Sequence, residues 1–348
     1  MNQHLPIRNL TLLLILSLGF SCAPSQVNQT SSEEEILSIQ TIAFGSCNRQ
    51  DREQPLWTPI LSNKPDLWIW LGDNIYGDTD SMAVLKAKYD LQNAHSEYQK
   101  LKTNTPIIGI WDDHDYGRND AGKEYPYRKE SRDLMYDFLD IPQESLLRQK
   151  EGAYGSYEFG PDDEKVKVIL LDARYFRDDL DKKDRDYVQN NTGSILGEEQ
   201  WNWLAEELKY NSAKITLIGS GIQILSAEHP YEKWANFPKE RERLLKLLET
   251  YKVTGAILLS GDRHIAEISK TDIPGISHPV YDVTSSGLTH TWKEYKSEPN
   301  SYRVGDLIAK LNFGLIHLDW QKDGVKVDLE IRGEADSLYL KESFLRKF

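Results

Sequence analysis

The chain has 348 residues, enough for one large α/β domain or two modest ones, and its 39% hydrophobic and 10% aromatic content is that of a globular protein. Against 42 basic residues stand 55 acidic ones, for a net charge of −13. That balance excludes a nucleic-acid binder, which needs a basic face, but not a phosphate-bearing substrate, because bound cations can invert a local field.

Near the N-terminus, Arg8 precedes an apolar stretch from Leu10 to Leu18, too short to span a bilayer and right for the core of an export signal. Small residues then lead to a cysteine in Gly19-Phe20-Ser21-Cys22. This pattern marks Cys22 as the lipidation site of an exported envelope lipoprotein, in the periplasm or outer membrane or at the cell surface; an ordinary cleaved signal is the other reading. Residues 1–22 are thus a signal peptide and 23–38, rich in Ser, Gln, Asn and Glu, a disordered tether. Residues 39–348 show no repeat and no linker and read as one domain. If Cys22 carries lipid, Cys47 is a lone thiol in an oxidising compartment. It is then either occupied by a metal or buried as a small hydrophobe.

Apolar runs predict strands over 39–45, 67–71, 107–111, 166–171, 215–219, 256–260, 280–284, 314–320 and 325–331, and helical patterns fall over 82–102, 128–139, 198–212 and 238–251. Alternation of this kind predicts an α/β core closed by a more β-rich C-terminal third. The longest irregular segments are 112–129 and 176–196. The second carries an acidic run from Asp178 to Asp186, read as a solvated loop or as a lid or outer calcium site.

Four apolar strands end in chemistry-bearing groups: Ser46-Cys47-Asn48, Gly72-Asp73-Asn74-Ile75-Tyr76, Asp112-Asp113-His114-Asp115 and Gly261-Asp262-Arg263-His264. A phenolate ligates only a strong Lewis acid, because its ordinary pKa is about 10. Thiolate from Cys47 and phenolate from Tyr76, with Asp73 as a bridge and His264 as imidazole, therefore favour ferric iron. Asp113, Asp262 and Asp112 form an oxygen-rich neighbour suited to Ca²⁺, Mg²⁺ or Mn²⁺. Two cations about 3.5–4 Å apart make a clamp for phosphoryl transfer. His114, between two carboxylates, can face a leaving group as general acid.

These stretches, with Phe44-Gly45 before the first and the softer Leu171-Asp172-Ala173-Arg174-Tyr175-Phe176-Arg177 and Leu196-Gly197-Glu198-Glu199-Gln200-Trp201, resemble the alkaline phosphatase D (PhoD-like) family of the metallophosphoesterase superfamily over about residues 40–290. The resemblance implies a four-layer α/β/β/α sandwich with metals at the strand ends. It implies iron among Cys47, Asp73, Tyr76 and His264. The second metal, calcium, would lie among Asp73, Asp113 and Asp262, with Asp112 a contributor and Mn²⁺ or Mg²⁺ as alternatives. His114 falls where the superfamily places its leaving-group histidine. Two features depart from the family: the signal has no arginine pair, and the chain is shorter than many members.

The expected activity is hydrolysis of phosphoric mono- or diesters, phospholipids or teichoic-type polymers included. The nucleophile would be a hydroxide held by the metals, with His114 as acid. Arg174 is assigned to charge stabilisation, and Asn74, Arg177 and Arg263 to the substrate; Arg174 and Arg177 can equally form structural pairs with Asp172 and Asp178. His229 is a loop histidine or an extra ligand, Gly219-Ser220-Gly221 a tight turn or a phosphate contact. His290 and Trp292 are candidate pocket walls, while His95 and His317 read as structural. A monomer anchored to the membrane by lipid is expected. The alternative from another class is a non-catalytic metal- or phosphate-binding envelope lipoprotein.

Overall fold

The run Leu67-Trp68-Ile69-Trp70-Leu71 is apolar at every position, so a strand made of it must be covered on both faces. The computed structural model describes residues 37–348 except Arg185, Thr254 and Lys296, and it meets that demand with two large stacked sheets flanked by helices. The signal segment, Cys22 and most of the tether lie outside the described residues.

The strands are β1 (Thr41–Gly45), β2 (Leu67–Leu71), β3 (Ile107–Ile110), β4 (Gly155–Phe159), β5 (Val166–Leu171), the small β6 (Lys182–Lys183) and β7 (Asp186–Tyr187), β8 (Ile215–Ser220), β9 (Ala256–Ser260), β10 (Ala266–Thr271), β11 (Val280–Ser285), β12 (Arg303–Ile308), β13 (Phe313–Gln321), β14 (Gly324–Arg332) and β15 (Leu338–Lys347). The α-helices are α1 (Trp57–Ser62), α2 (Met82–Asn93), α3 (Ser96–Asn104), α4 (Asp113–Tyr116), α5 (Arg128–Phe138), α6 (Leu146–Gln149), α7 (Gly197–Lys209) and α8 (Pro238–Thr250).

One sheet runs β15-β14-β13-β1-β2-β3 and the other β12-β10-β11-β9-β8-β5-β4. In the first, β1, β2 and β3 are parallel; in the second, β5, β8, β9 and β11 are. Register pairs Gly45 with Trp70, Leu71 with Ile110, Leu171 with Ser220, and Ser260 with both Ser220 and Thr284. Parallel neighbours therefore stop at one level, and their following loops converge on one end of the sandwich.

Side-chain alternation builds the layers. Val166, Val168 and Leu170 of β5 join the cluster between the sheets, while Ile169 and Leu171 pack outward with Trp201, Leu204, Leu244 and Leu248 of α7 and α8. On the outer side of the first sheet, the Trp57 ring meets Trp68 at 5.2 Å and Trp70 at 5.5 Å edge-on, and the Trp70 Nε1–H donates to Tyr98 Oη at 3.1 Å. Edge-on geometry suits the ring quadrupoles, and each such pair adds about 0.5–1.5 kcal/mol beyond its buried area.

The expected sandwich is the one observed, with local corrections. The helix over 82–102 is two helices, because the Gln99 side chain caps the Asn93 carbonyl (2.5 Å) and Lys102 holds the Asn93 side chain (3.2 Å). His95 falls at that break rather than within a helix. Segment 112–129 contains α4, and 176–196 contains the β6–β7 hairpin. Strands β4, β12 and β15 were not expected; they are sheet edges whose polar residues hide the period, and β10 shares that polar mixture. His317 is structural as read, 3.3 Å from Thr41 Oγ1 and 3.6 Å from Glu330.

Replacing Trp70, fully buried in the aromatic layer, by Ala should cost about 3–5 kcal/mol in urea unfolding. The half-exposed Trp292→Ala should stay within about 0.5 kcal/mol of wild type. Similar losses in both would place the core elsewhere.

Candidate metal centre

Each ligand-bearing turn departs from a buried parallel strand, and the turns are bonded to one another. Asn48 N donates to Asp73 O (2.8 Å), Gly77 N to His114 O (2.9 Å), Gly261 N to Gly221 O (3.0 Å) and Leu288 N to Ser46 O (3.2 Å). Cys47, Asp73, Asp262 and His264 all adopt left-handed backbone, with φ of 58°, 50°, 68° and 52°. Such conformations persist in non-glycine residues only where the surroundings over-determine them, and they cluster at functional sites. Gly72 (φ +89°) needs to be glycine for a second reason: a Cβ there would strike the Asp112 side chain and lie 2.7 Å from Asp112 N. Gly221, after β8, lies so close to the Asp112 carboxylate that any Cβ would collide with it.

The turns bring together three groups whose ligand atoms lie within 4.8 Å of one another: Cys47, Asp73 and His264; Asp73, Asp113 and His114; and Asp112, Asp113 and Asp262. The Cys47 thiol is 3.4 Å from Asp73 Oδ2 and 3.1 Å from Ser286 Oγ. The Tyr76 hydroxyl is 3.1 Å from Asp73 Oδ2, 2.9 Å from His264 Nε2 and 3.1 Å from His290 Nε2. Asp112 Oδ2 is buried without a hydrogen bond among the described residues. A donor set of one thiol, one phenol, imidazole and clustered carboxylates, one of them with an orphaned oxygen, fits metal ions.

Electrostatics point the same way. Burial, reinforced by Asp112 and Asp113, pushes the Asp262 carboxyl well above the usual range, and burial dominates at Asp73 too. Burial lifts Asp112 from 3.8 to about 7 against the pull of Arg174. At Asp113, burial is outweighed by the Arg174 and His114 charges, and the carboxyl falls to about 2. Burial and then Asp73 push up both the Cys47 thiol and the Tyr76 phenol. Burial, aided by His290 and His114, holds His264 at about 3, leaving a neutral ring with a free lone pair. The raised groups, Asp73, Asp112, Asp262, Cys47 and Tyr76, retain protons that bound cations would displace.

His114 stands at the edge of the group, its ring 4.1 Å from that of Tyr76 and its Nδ1 2.7 Å from Asp78 Oδ1. Burial disfavours its charge, but Asp73, Asp113 and Asp78 prevail and raise it to about 11. Asp78 was not singled out from the sequence; its only signal is a second acidic residue just past the Gly72–Tyr76 turn. Asp115 was read only as a carboxylate beside His114. It accepts from Asp112 N (2.7 Å), Asn74 N (3.1 Å) and Asp73 N (3.2 Å), joining two ligand turns.

Of four residues assigned to charge or substrate, Arg174, Arg177 and Asn74 sit behind the cleft surface and Arg263, though it lines the cleft, is buried and paired. Arg174 is fully buried, donating to Asp112 Oδ1 (2.7 Å) and Glu232 Oε2 (2.6 Å), and Arg177 pairs with Glu232 at 3.0 Å. These partners replace the expected Asp172 and Asp178, of which Asp172 instead accepts from the Arg174 backbone (2.9 Å). Arg263 pairs with Glu298 at 2.7 Å and lies 4.1 Å under the Tyr231 ring. Asn74 is buried, its amide donating to Ile110 O at 3.1 Å. His229 is buried outside the three groups, whereas Trp292 lines the cleft beside His264.

A family model described as PhoD-like phosphatase matches residues 42–290. The chain belongs to the PhoD-like phosphatase family. It is 25% identical over 292 residues to alkaline phosphatase D of Bacillus subtilis (strain 168), covering 71% of this chain and 48% of that one, so it spans about half the length of that relative. Two solved structures share the fold. "Structure of PhoD" has a TM-score of 0.74 at 17% identity over 89% of this chain and 70% of its own. "GAP50 the anchor in the inner membrane complex of Plasmodium" has 0.58 at 11% over 90% of each.

With Asp112 raised from 3.8 to about 7 in the folded chain, the native state binds more protons than the unfolded state between those values. Its contribution to stability therefore falls as pH rises from about 4 to about 7. In chelator-treated protein, Asp112→Asn should gain Tm relative to wild type across that window. A difference that shrinks as pH rises would contradict this assignment.

Proposed function

We propose that this chain is a metal-dependent hydrolase of phosphoric esters. The observation that carries the reading is the overlap of the three ligand groups through Asp73 and Asp113, with His114 on the rim of the same cleft. Membership of the PhoD-like phosphatase family supports it.

In this reading Cys47, Asp73, Tyr76 and His264 hold iron, since thiolate and phenolate donors together suit Fe³⁺. Asp73, Asp113, Asp112 and Asp262 hold calcium, or Mn²⁺ or Mg²⁺, through oxygen alone. Cations at these positions supply Lewis acidity to the phosphoryl group and to attacking water. Asp78 fixes the ring of His114 so that Nε2 presents its proton to the departing alkoxide. Arg174 acts through Asp112, and Arg177 through Glu232, as positioning groups. Both mono- and diesters are within reach of this chemistry. An exported protein held to the membrane through Cys22 and acting as a monomer completes the reading.

Metal analysis of purified protein, followed by assay on paired mono- and diester substrates after supplying iron and calcium, tests it. Wild type should contain metal and turn over at least one ester. Bound metal without any turnover would favour the non-catalytic envelope lipoprotein, and absence of both would end the hydrolase reading.

Asp73→Asn should lose both metals, because its carboxylate is common to two groups. His114→Ala should keep them and lower kcat about 10²–10⁴-fold, the usual worth of a general acid. Metal loss from the His114 variant would move that residue into the ligand set.

A further inference from the structure

The arginines available for a substrate's phosphate are committed elsewhere. Arg174 and Arg177 are buried on Asp112 and Glu232. Arg49 stacks 5.2 Å from the Tyr76 ring but is outside the cleft lining and makes two 3.1 Å bonds to Asp51. The cleft, about 540 Å³, opens over Asp113, His114, Asp262 and His264. Among its described lining residues, Lys182 and Arg263 are the only Lys or Arg, and Arg263 is 2% exposed beneath Tyr231.

Lys182 is different. It stands on β6 of the small hairpin with half its side chain exposed, 2.9 Å from Asp120 Oδ2 and 4.4 Å from the Tyr187 ring centre. Asp120 in turn donates its backbone N–H to Asp113 Oδ2 at 2.7 Å, and Arg177 donates to the Asp120 carbonyl. The ammonium is thus one residue removed from a carboxylate shared by two of the ligand groups. Glu232 in the same lining is already paired with Arg174 and Arg177, but the carboxylates of Asp120 and Asp184 stand on the Lys182 side, so a substrate's second negative charge meets repulsion there unless a cation answers it.

We propose that Lys182 is the substrate-charge residue of this cleft, making it favour dianionic phosphomonoesters over monoanionic diesters. An ammonium has three donors, so it keeps Asp120 while giving one N–H to a non-bridging phosphoryl oxygen. A diester has one charge fewer for it to meet and loses less without it. The inference rests on the hydrolase reading, and it assigns the hairpin, whose segment reads from sequence as a solvated loop, a lid or an outer calcium site, to one wall of the substrate site.

The test uses metal-loaded full-length protein as wild type, Lys182→Ala, Lys182→Arg and Asp120→Asn. Kinetics with 4-nitrophenyl phosphate and bis(4-nitrophenyl) phosphate should show monoester kcat/KM falling at least about tenfold in Lys182→Ala, mostly through KM, and the diester by no more than about threefold. Lys182→Arg should recover most of the loss, and metal content should match wild type in all three variants. Calorimetric titration with inorganic phosphate gives a second readout that needs no turnover. Lys182→Ala should weaken phosphate about tenfold, while Asp120→Asn, which leaves the ammonium unopposed, should tighten it. Equal loss on both esters, or unchanged phosphate affinity in Lys182→Ala, overturns the inference. Wild type that binds phosphate through Lys182 but hydrolyses neither ester defeats the hydrolase reading and leaves the charge contact standing.

Discussion

Asp73, Asp112 and Asp113 are buried at one end of two sheets with the half-buried Asp262 beside them, closer together than four negative charges tolerate in a poorly hydrated space. Folding can accept that crowding in two ways: by keeping protons on the carboxyls or by taking up cations. The raised carboxyls of Asp73, Asp112 and Asp262 are the first way, and the convergence of thiol, phenol and imidazole beside them prepares the second. Most other features near the site follow from holding this unfavourable group in place. Left-handed backbone at Cys47, Asp73, Asp262 and His264 stores about 1–3 kcal/mol at each position, which only a rigid frame can sustain.

That frame is the shared level at which the parallel strands stop. It is set by ladder register, with Leu71 opposite Ile110 and Ser220 opposite Ser260, and by cores so tightly filled that the strands have little freedom to slide. Behind the ligands stands a second layer of bonds. Asp115 ties the turn after β2 to the turn after β3, Ser286 holds both the Cys47 thiol and the His264 backbone, and Arg174 fixes Asp112. Buried arginines are costly unless paired, and here Asp112 and Glu232 hold the Arg174 guanidinium from two sides through Nε and Nη1. The same pairing explains why Arg174 touches the site only through another residue.

What could be read from sequence, and what could not, divides along the same line. Apolar strands and the groups at their ends are local: Leu67–Leu71 and Gly72-Asp73 are adjacent, so pattern alone placed carboxylates at a strand mouth. The layer behind them is made of distant pairs. Arg174 reaches Glu232 across 58 residues, and His114 reaches Asp78 across 36. No periodicity connects such residues, and the nearer acidic neighbours, Asp172 and Asp178, were the natural but mistaken partners. The split of the helix over 82–102 has a similar cause: long side chains capping Asn93 override a pattern that looks continuous. Edge strands such as Leu338–Lys347 escaped because solvent on one side permits Lys, Glu, Ser and Arg, which blur the strand signal.

Asp73 joins two chemically unlike halves. On one side lie Cys47, Tyr76 and His264, donors that are soft, aromatic or neutral; on the other lie the carboxylates of Asp112, Asp113 and Asp262, with His114 at their edge. Burial and the Asp73 charge both oppose ionising the thiol and the phenol, so only a strongly polarising ion can hold them as anions. Hard divalent cations, content with carboxylates, have no such need. In the proposed two-metal reading, the asymmetry of the donors sorts the metals by Lewis acidity, with Tyr76 the residue on which that sorting turns. Its hydroxyl is held among Asp73, His264 and His290, with the His114 ring 4.1 Å from its own. An ion bound to the phenolate would thus also set the position of the aromatic ring against which His114 rests.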